Sequence, residues 1–189
     1  MSFLQSAIVG CWIVFLAFWA VTALRTKRTV ETQDLASRLS HSIPILLGAW
    51  LLLQGTSDPG SLGDRILPHT PPVLAAGLAV TLAGLSLALW ARVTLGRNWS
   101  GRVTFKENHE LIRHGPYAHV RHPIYSAILL MFLGNAIAIG TLGALVGLAL
   151  VVLGVWVKLG QEEALMTEHF EAAYGSYKSQ VRALIPGLL

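Results

Sequence analysis

An uncharged and mostly apolar run from residue 2 to residue 24 limits this chain more than any other feature. As a helix its 23 residues would reach about 35 Å at 1.5 Å per residue, enough to cross a hydrocarbon core of about 30 Å. A cleaved secretion signal would carry its basic residues ahead of a shorter apolar stretch, whereas Arg25, Lys27 and Arg28 follow this one, so we read a retained membrane span. Composition points the same way: 53% of residues are hydrophobic and 13% charged, where soluble domains carry about 25% charged. The mean hydropathy is +0.57.

Three more runs follow, at residues 39–54, 72–90 and 124–157. The last has 34 uncharged residues and would make a helix of about 50 Å, too long for one crossing. Gly134-Asn135 and Gly140-Thr141-Leu142-Gly143 offer places to turn within it, so we read a tight pair of short helices. The expectation is a single all-α membrane domain over 1–189, with about five spans: three in residues 1–90, then a hairpin and a C-terminal helix in 91–189.

Five spans sort the loops onto two sides. Residues 25–40, 91–121 and 158–189 hold 13 of the 14 Lys and Arg residues, while 54–71 hold only Arg65. The positive-inside rule then puts the N-terminus outside and the C-terminus in the cytoplasm, with a bacterial inner membrane as the expected location. An even number of spans would send the basic tail to the wrong side. The formal net charge of +4 is explained by cytoplasmic loop charge and calls for no nucleic-acid partner. The lone Cys11 lies in the first run, which excludes an internal disulfide and leaves packing as its role.

Chemistry is left to the two longest polar segments. Gly96, Gly101 and Gly115-Pro116 break the first, residues 91–123, into loop and short helix. The second reads as a helix over 158–183 leaving the fifth span, with Leu165, Phe170, Tyr174 and Tyr177 along one side and Pro186 beyond its end. Lys158 and Glu162 stand four residues apart, so they share a helix face. A surface ion pair of small energetic value is the plain explanation. Their place at a membrane boundary favours a functional one, because charges facing a bundle there are expensive.

His109, His114, His119 and His122 do not follow a zinc-binding spacing, and we expect no metal. Arg121-His122-Pro123 also reads as a helix start, with Pro in the first turn and cations at headgroup level. That explanation leaves Gly115, Tyr117 and Tyr125 unaccounted for.

The pattern His109-x-Leu111-Ile112-x-x-Gly115-x-Tyr117-x-x-x-Arg121-His122-Pro123-x-Tyr125 is followed by Glu162-Glu163, Leu165, Phe170, Tyr174 and Tyr177. This closely resembles the isoprenylcysteine carboxyl methyltransferase family, and phospholipid N-methyltransferases share part of it. The match runs from about Gly101 to Pro186; the first three spans match only in being apolar. The resemblance implies S-adenosylmethionine-dependent methyl transfer at a cytoplasmic-side pocket formed by the C-terminal half. It also implies that His109, Glu110, Leu111, Ile112, Gly115, Tyr117, His122, Pro123, Ile124, Tyr125, Glu162 and Glu163 bind the cofactor, Gly115 by allowing close backbone approach. Family members place a basic residue, often Arg, one turn before the Glu, at the substrate carboxylate. Lys158 stands there in this chain, keeping the charge and losing the bidentate fork.

In-line methyl transfer asks a protein to align nucleophile and methyl carbon and to exclude water. A carboxylate acceptor is already ionised and needs only to be held, here by Lys158. An amine acceptor has to lose a proton, and Glu162, Glu163 or a His is then a candidate base. The expected substrate is lipophilic and enters from the bilayer, an isoprenylcysteine-like carboxylate above all. The alternatives are a phospholipid amine, or the nicotinamide-dependent chemistry of sterol-type membrane reductases, whose C-terminal part resembles this family in a much longer chain. A third is a non-catalytic membrane subunit that retains a cofactor-shaped cavity.

Overall fold

The computed structural model describes residues 2–24, 29–32, 34–54, 62–99, 104–106 and 110–188. Five helices carry the fold: α1 (Phe3–Ala23), α2 (Leu35–Gln54), α3 (Pro71–Leu95), α4 (Pro123–Ile139) and α5 (Leu142–Gln180). They run alternately up and down, so the C-terminal ends of α1, α3 and α5 share one end of the bundle with the N-terminal ends of α2 and α4. We call this the site end. Single-turn 3-10 segments at Gly96–Asn98 and Gly115–Ala118 lie there. So does an antiparallel pair of short strands, β1 (Thr29–Thr32) and β2 (Thr104–Lys106), which the hydropathy pattern does not announce.

Helix starts follow local chemistry. Ser2 and Gln5 form a reciprocal capping box on α1, and Pro71-Pro72 and Pro123 occupy the first turns of α3 and α4. α1, α2, α3 and α5 are long and apolar enough to cross a membrane, and α4 is a shorter apolar helix. At 17 residues α4 reaches about 25 Å, near the lower limit for a span. Leu16, Leu46, Trp50 and Leu153 point outward and stay exposed, as expected of side chains meeting lipid.

The hairpin turns at Gly140-Thr141. Gly140 takes φ 67 at the end of α4, which glycine adopts at no steric cost, and the Thr141 hydroxyl caps α5 by accepting from Ala144 N at 3.2 Å. Gly134-Asn135, the other turn expected from sequence, lies inside α4. There Gly134 packs on α3: a Cβ on it would meet the Gly77 carbonyl oxygen at 2.5 Å, and one on Gly77 would meet the Gly134 carbonyl at 2.6 Å. Gly48 of α2 and Gly147 of α5 meet in the same way. Without a hydrophobic force between helices in lipid, close backbone packing of this kind holds spans together.

Cys11 and Phe15 of α1, Leu85 and Ala88 of α3, and Ala127 and Met131 of α4 form one buried cluster. Leu52 of α2 packs with Ala144, Val151 and Val155 of α5 and Ala136 of α4 in another. Two boundaries differ from expectation. α3 runs on to Leu95 because Ala91 and Arg92 are buried against the bundle, which an uncharged-run criterion misses. α5 stops at Gln180 and is interrupted at Glu171, which has φ 44 and ψ −121. Its 39 residues would reach about 58 Å if straight, so the part beyond the membrane bends back over the site end.

Candidate functional site

A cavity of about 310 Å³ opens at the site end, walled by α1, α3, α4, α5 and the segment before α4. Glu110, Leu111, Ile112, Tyr117, His122, Ile124, Tyr125, Lys158 and Glu162, all singled out from sequence, line it. Pro123 is buried in the first turn of α4, where it starts the helix. His109 lies outside the described residues.

Two of the expected residues occupy other places. Gly115 has φ 60, and a Cβ there would meet the Thr94 side chain at 3.2 Å. The reason for glycine at this position is therefore a left-handed turn packed on α3, not approach to the cavity, of whose lining it is no part. Glu163 faces the other way from Glu162. Its Oε1 accepts from Arg121 Nε at 2.8 Å and lies 3.2 Å from His122 Nε2, and its Oε2 is 2.8 Å from Lys178 Nζ. It is buried, and this cluster of cations is what makes a carboxylate tolerable there.

The Glu163 cluster positions His122 from behind. Residues 181–188 pass along the same side: Arg121 N donates to Arg182 O at 2.8 Å, His122 N to Ala183 O at 2.9 Å, and Ser126 Oγ to Leu184 O at 2.6 Å. The His122 ring stacks on Tyr125 with centroids 5.5 Å apart and planes 10° off parallel. The Tyr125 hydroxyl donates to Glu162 Oε2, and Lys158 Nζ lies 5.6 Å from the Tyr125 ring centroid. One carboxylate, one ammonium and two stacked rings thus meet on a single wall.

The opposite wall comes from α3, α1 and the C-terminal part of α5. Arg92, buried in α3, donates to Thr22 O at 2.8 Å and Gly96 O at 2.6 Å, and lies 4.6 Å over the Trp99 ring. Trp99 meets Trp19 edge-on at 6.4 Å, and Trp19 stacks on Phe15 at 4.1 Å. The Tyr177 hydroxyl donates to Tyr117 O at 2.5 Å, and Arg113 donates to Ala173 O while lying 5.3 Å over the Tyr177 ring. These contacts fasten the end of α5 over the cavity. Burial drives the Tyr117 phenol far above its usual range, with nearby Glu162 adding to the effect, so it stays protonated.

Phe15, Trp19 and Ile128 in the wall are residues that sequence reasoning did not single out. Phe15 and Trp19 are four apart on α1, an aromatic pair on one helix face, and this was the available signal. Asn98, in the loop after α3, is the more informative residue of the wall, since the sequence alone fixes no role for it or for Trp99. It is 7% exposed, lines the cavity, and its Oδ1 makes no hydrogen bond among the described residues. A buried acceptor left without a donor costs stability unless a ligand supplies one. Among the described residues no group of His, Cys, Asp and Glu has the arrangement of a metal site.

Comparison with known proteins agrees with the site's residue pattern. The sequence model of the isoprenylcysteine carboxyl methyltransferase (ICMT) family matches residues 76–168. A probable protein-S-isoprenylcysteine O-methyltransferase of Oryza sativa subsp. indica is 29% identical over 113 residues, covering 58% of this chain and 59% of the relative. Protein-S-isoprenylcysteine O-methyltransferase A of Arabidopsis thaliana is 26% identical over 113 residues, with 58% and 57% covered. The protein-S-isoprenylcysteine O-methyltransferase of Schizosaccharomyces pombe is 32% identical over 117 residues, with 59% and 48% covered. The chain thus spans roughly half to three fifths of the length of these curated relatives. From α3 through the cavity to the buried Glu163 cluster on α5, the segment at residues 76–168 belongs to the isoprenylcysteine carboxyl methyltransferase family.

Proposed function

We propose that this chain is an integral membrane methyltransferase that uses S-adenosylmethionine to esterify the carboxylate of a lipophilic, isoprenylcysteine-like acceptor entering from the bilayer. The observation that carries this reading is the meeting of Lys158, Glu162 and Tyr125 on one wall of a cavity that also holds the unsatisfied Asn98 Oδ1.

The described residues fit the cofactor. Glu162, bonded on one oxygen by Tyr125, keeps acceptor capacity for ribose hydroxyls or an ammonium. Asn98 Oδ1 accepts an amino group. Tyr117, Tyr125 and Trp99 offer faces to a cation or a purine ring. Bound S-adenosylmethionine supplies a methyl carbon on a positively charged sulfur, which leaves as a neutral thioether. Lys158 holds the acceptor carboxylate and keeps it ionised, His122 and Ile124 fix the cofactor from the α4 side, and the end of α5 excludes water.

A carboxylate acceptor is favoured over a phospholipid amine by Lys158 itself, because an ammonium attracts an ionised carboxylate and repels an amine that arrives protonated. The cation-rich site end faces the cytoplasm on this reading.

The test is a calorimetric titration of the purified protein with S-adenosylhomocysteine, with NADPH in parallel, followed by methyl transfer to a prenylated cysteine acid and to an amine lipid. Saturable S-adenosylhomocysteine binding and transfer to the acid are expected. Binding of NADPH alone would replace this reading by the reductase one.

A further inference from the structure

A second cavity, of about 380 Å³, lies on the outer side of α5, and the methyl-transfer site makes no use of its open face. Arg121, Lys178 and Arg182 line one part of it, and Trp156, Leu159 and Leu188 another. Among the described residues of the lining Glu163 is the only acidic one, so three cations stand there against one carboxylate. Arg121 and Lys178 are both engaged by that carboxylate, at 2.8 Å each. The exposed Arg182 side chain makes no hydrogen bond or ion pair among the described residues.

The layers of this cavity match a membrane boundary. Trp156 is half exposed on α5, about 10 Å along the helix axis from Glu163, and Trp favours the interface between headgroups and hydrocarbon. Leu153, exposed one turn deeper, faces where acyl chains run. On the other side of Trp156 stand the cations. Basic pockets beside spans at this depth bind anionic lipid headgroups, while a soluble acidic partner would leave Trp156 and Leu153 unused.

We propose that this cavity binds the headgroup of an anionic phospholipid, with its phosphate between Arg182 and Lys178 and its acyl chains along Trp156 and Leu153. Such a lipid pins residues 181–188, whose backbone carbonyls accept from the amides of Arg121 and His122. It therefore steadies the back of the first cavity from outside. The inference rests on the second cavity and its position, so it stands whether or not the acceptor of the first site is a carboxylate.

The experiment places the full chain in nanodiscs of phosphatidylcholine, with and without added phosphatidylglycerol, and measures the thermal midpoint together with lipid retained in native mass spectrometry. A one-site ligand well above its dissociation constant raises the midpoint of a chain this size by about 3–10 °C. That rise is expected in the wild type and in Arg182→Lys. It should be mostly lost in Arg182→Gln, which should match the wild type in phosphatidylcholine alone. Arg38→Gln, at an exposed cation of the same end that does not line the cavity, should keep it. Equal rises in wild type and Arg182→Gln would overturn the proposal, as would equal losses in Arg182→Gln and Arg38→Gln, which mark a diffuse charge effect. Full reproduction of the rise by inorganic phosphate in phosphatidylcholine discs would overturn the lipid assignment in favour of a free anion.

Discussion

Lys158 and Glu162 sit one turn apart on α5 and both enter the first cavity, but the tasks proposed for them differ. Glu162 is tied to Tyr125 and on the proposed reading would hold the cofactor. Lys158 lies across the Tyr125 ring, where a substrate carboxylate would be held. Lys158→Met keeps most of the stem and removes the charge. It is expected to lower kcat/KM for a carboxylate acceptor by roughly 10- to 100-fold, the loss of a charge-assisted bond of about 1.5–3 kcal/mol, with little change in S-adenosylhomocysteine affinity. Equal loss of both would move Lys158 into the cofactor site. At this scale the sequence was informative where side chains carry chemistry: the spacing around His122 and Tyr125 and the Lys158–Glu162 turn marked the cavity. It was silent on Trp19 and Phe15, because an aromatic inside an apolar run looks the same facing a ligand or facing lipid. It also gave Glu162 and Glu163 one role, when a step of about 100° on the helix turns Glu163 to Arg121 and Lys178.

Among the helices, the pairs α3 with α4 and α2 with α5 pack most closely, each through glycines. Gly134 shows why sequence placed the hairpin between two candidate turns. A Gly-Asn step reads as a breaker, yet in a span the same glycine lets two backbones touch. Only Gly140, with its left-handed φ, makes the turn. Gly134→Val would drive side-chain atoms into the Gly77 carbonyl and Thr81. Overpacking of this kind costs about 1–3 kcal/mol, so the thermal midpoint should fall by about 2–12 °C. Gly10→Ala, where an added Cβ meets nothing within 4 Å, should be neutral or slightly stabilising through helix propensity. A midpoint unchanged in Gly134→Val would show that α3 and α4 do not pack as closely as described. The ends of α3 and α5 were less legible than the hairpin, since they depend on the burial of Arg92 and on the backbone turn at Glu171, neither of which leaves a mark in hydropathy.

For the whole molecule, the alternation of five helices puts Arg92, Arg113, Arg121, Lys158, Lys178 and Arg182 at the site end and leaves Arg65 at the other, where it donates to Ile139 O at 3.1 Å. The charge bias and the position of the cavity therefore make one prediction: the face with more cations, which is the cytoplasmic face under the positive-inside rule, is also the face where the cofactor enters. S-adenosylmethionine is a charged solute made in the cytosol, so a cavity on the outer face would have no supply. Cys11 is buried and can be replaced by Ala to give a thiol-free background. In that background His69→Cys, exposed before α3, and Glu168→Cys, exposed beyond the membrane part of α5, report the two ends. In intact cells a membrane-impermeant maleimide should label His69→Cys, and it should reach Glu168→Cys only after lysis. The reverse pattern would place the first cavity outside, remove its source of methyl donor, and overturn the proposed reaction even if the fold and the Glu163 cluster were as described.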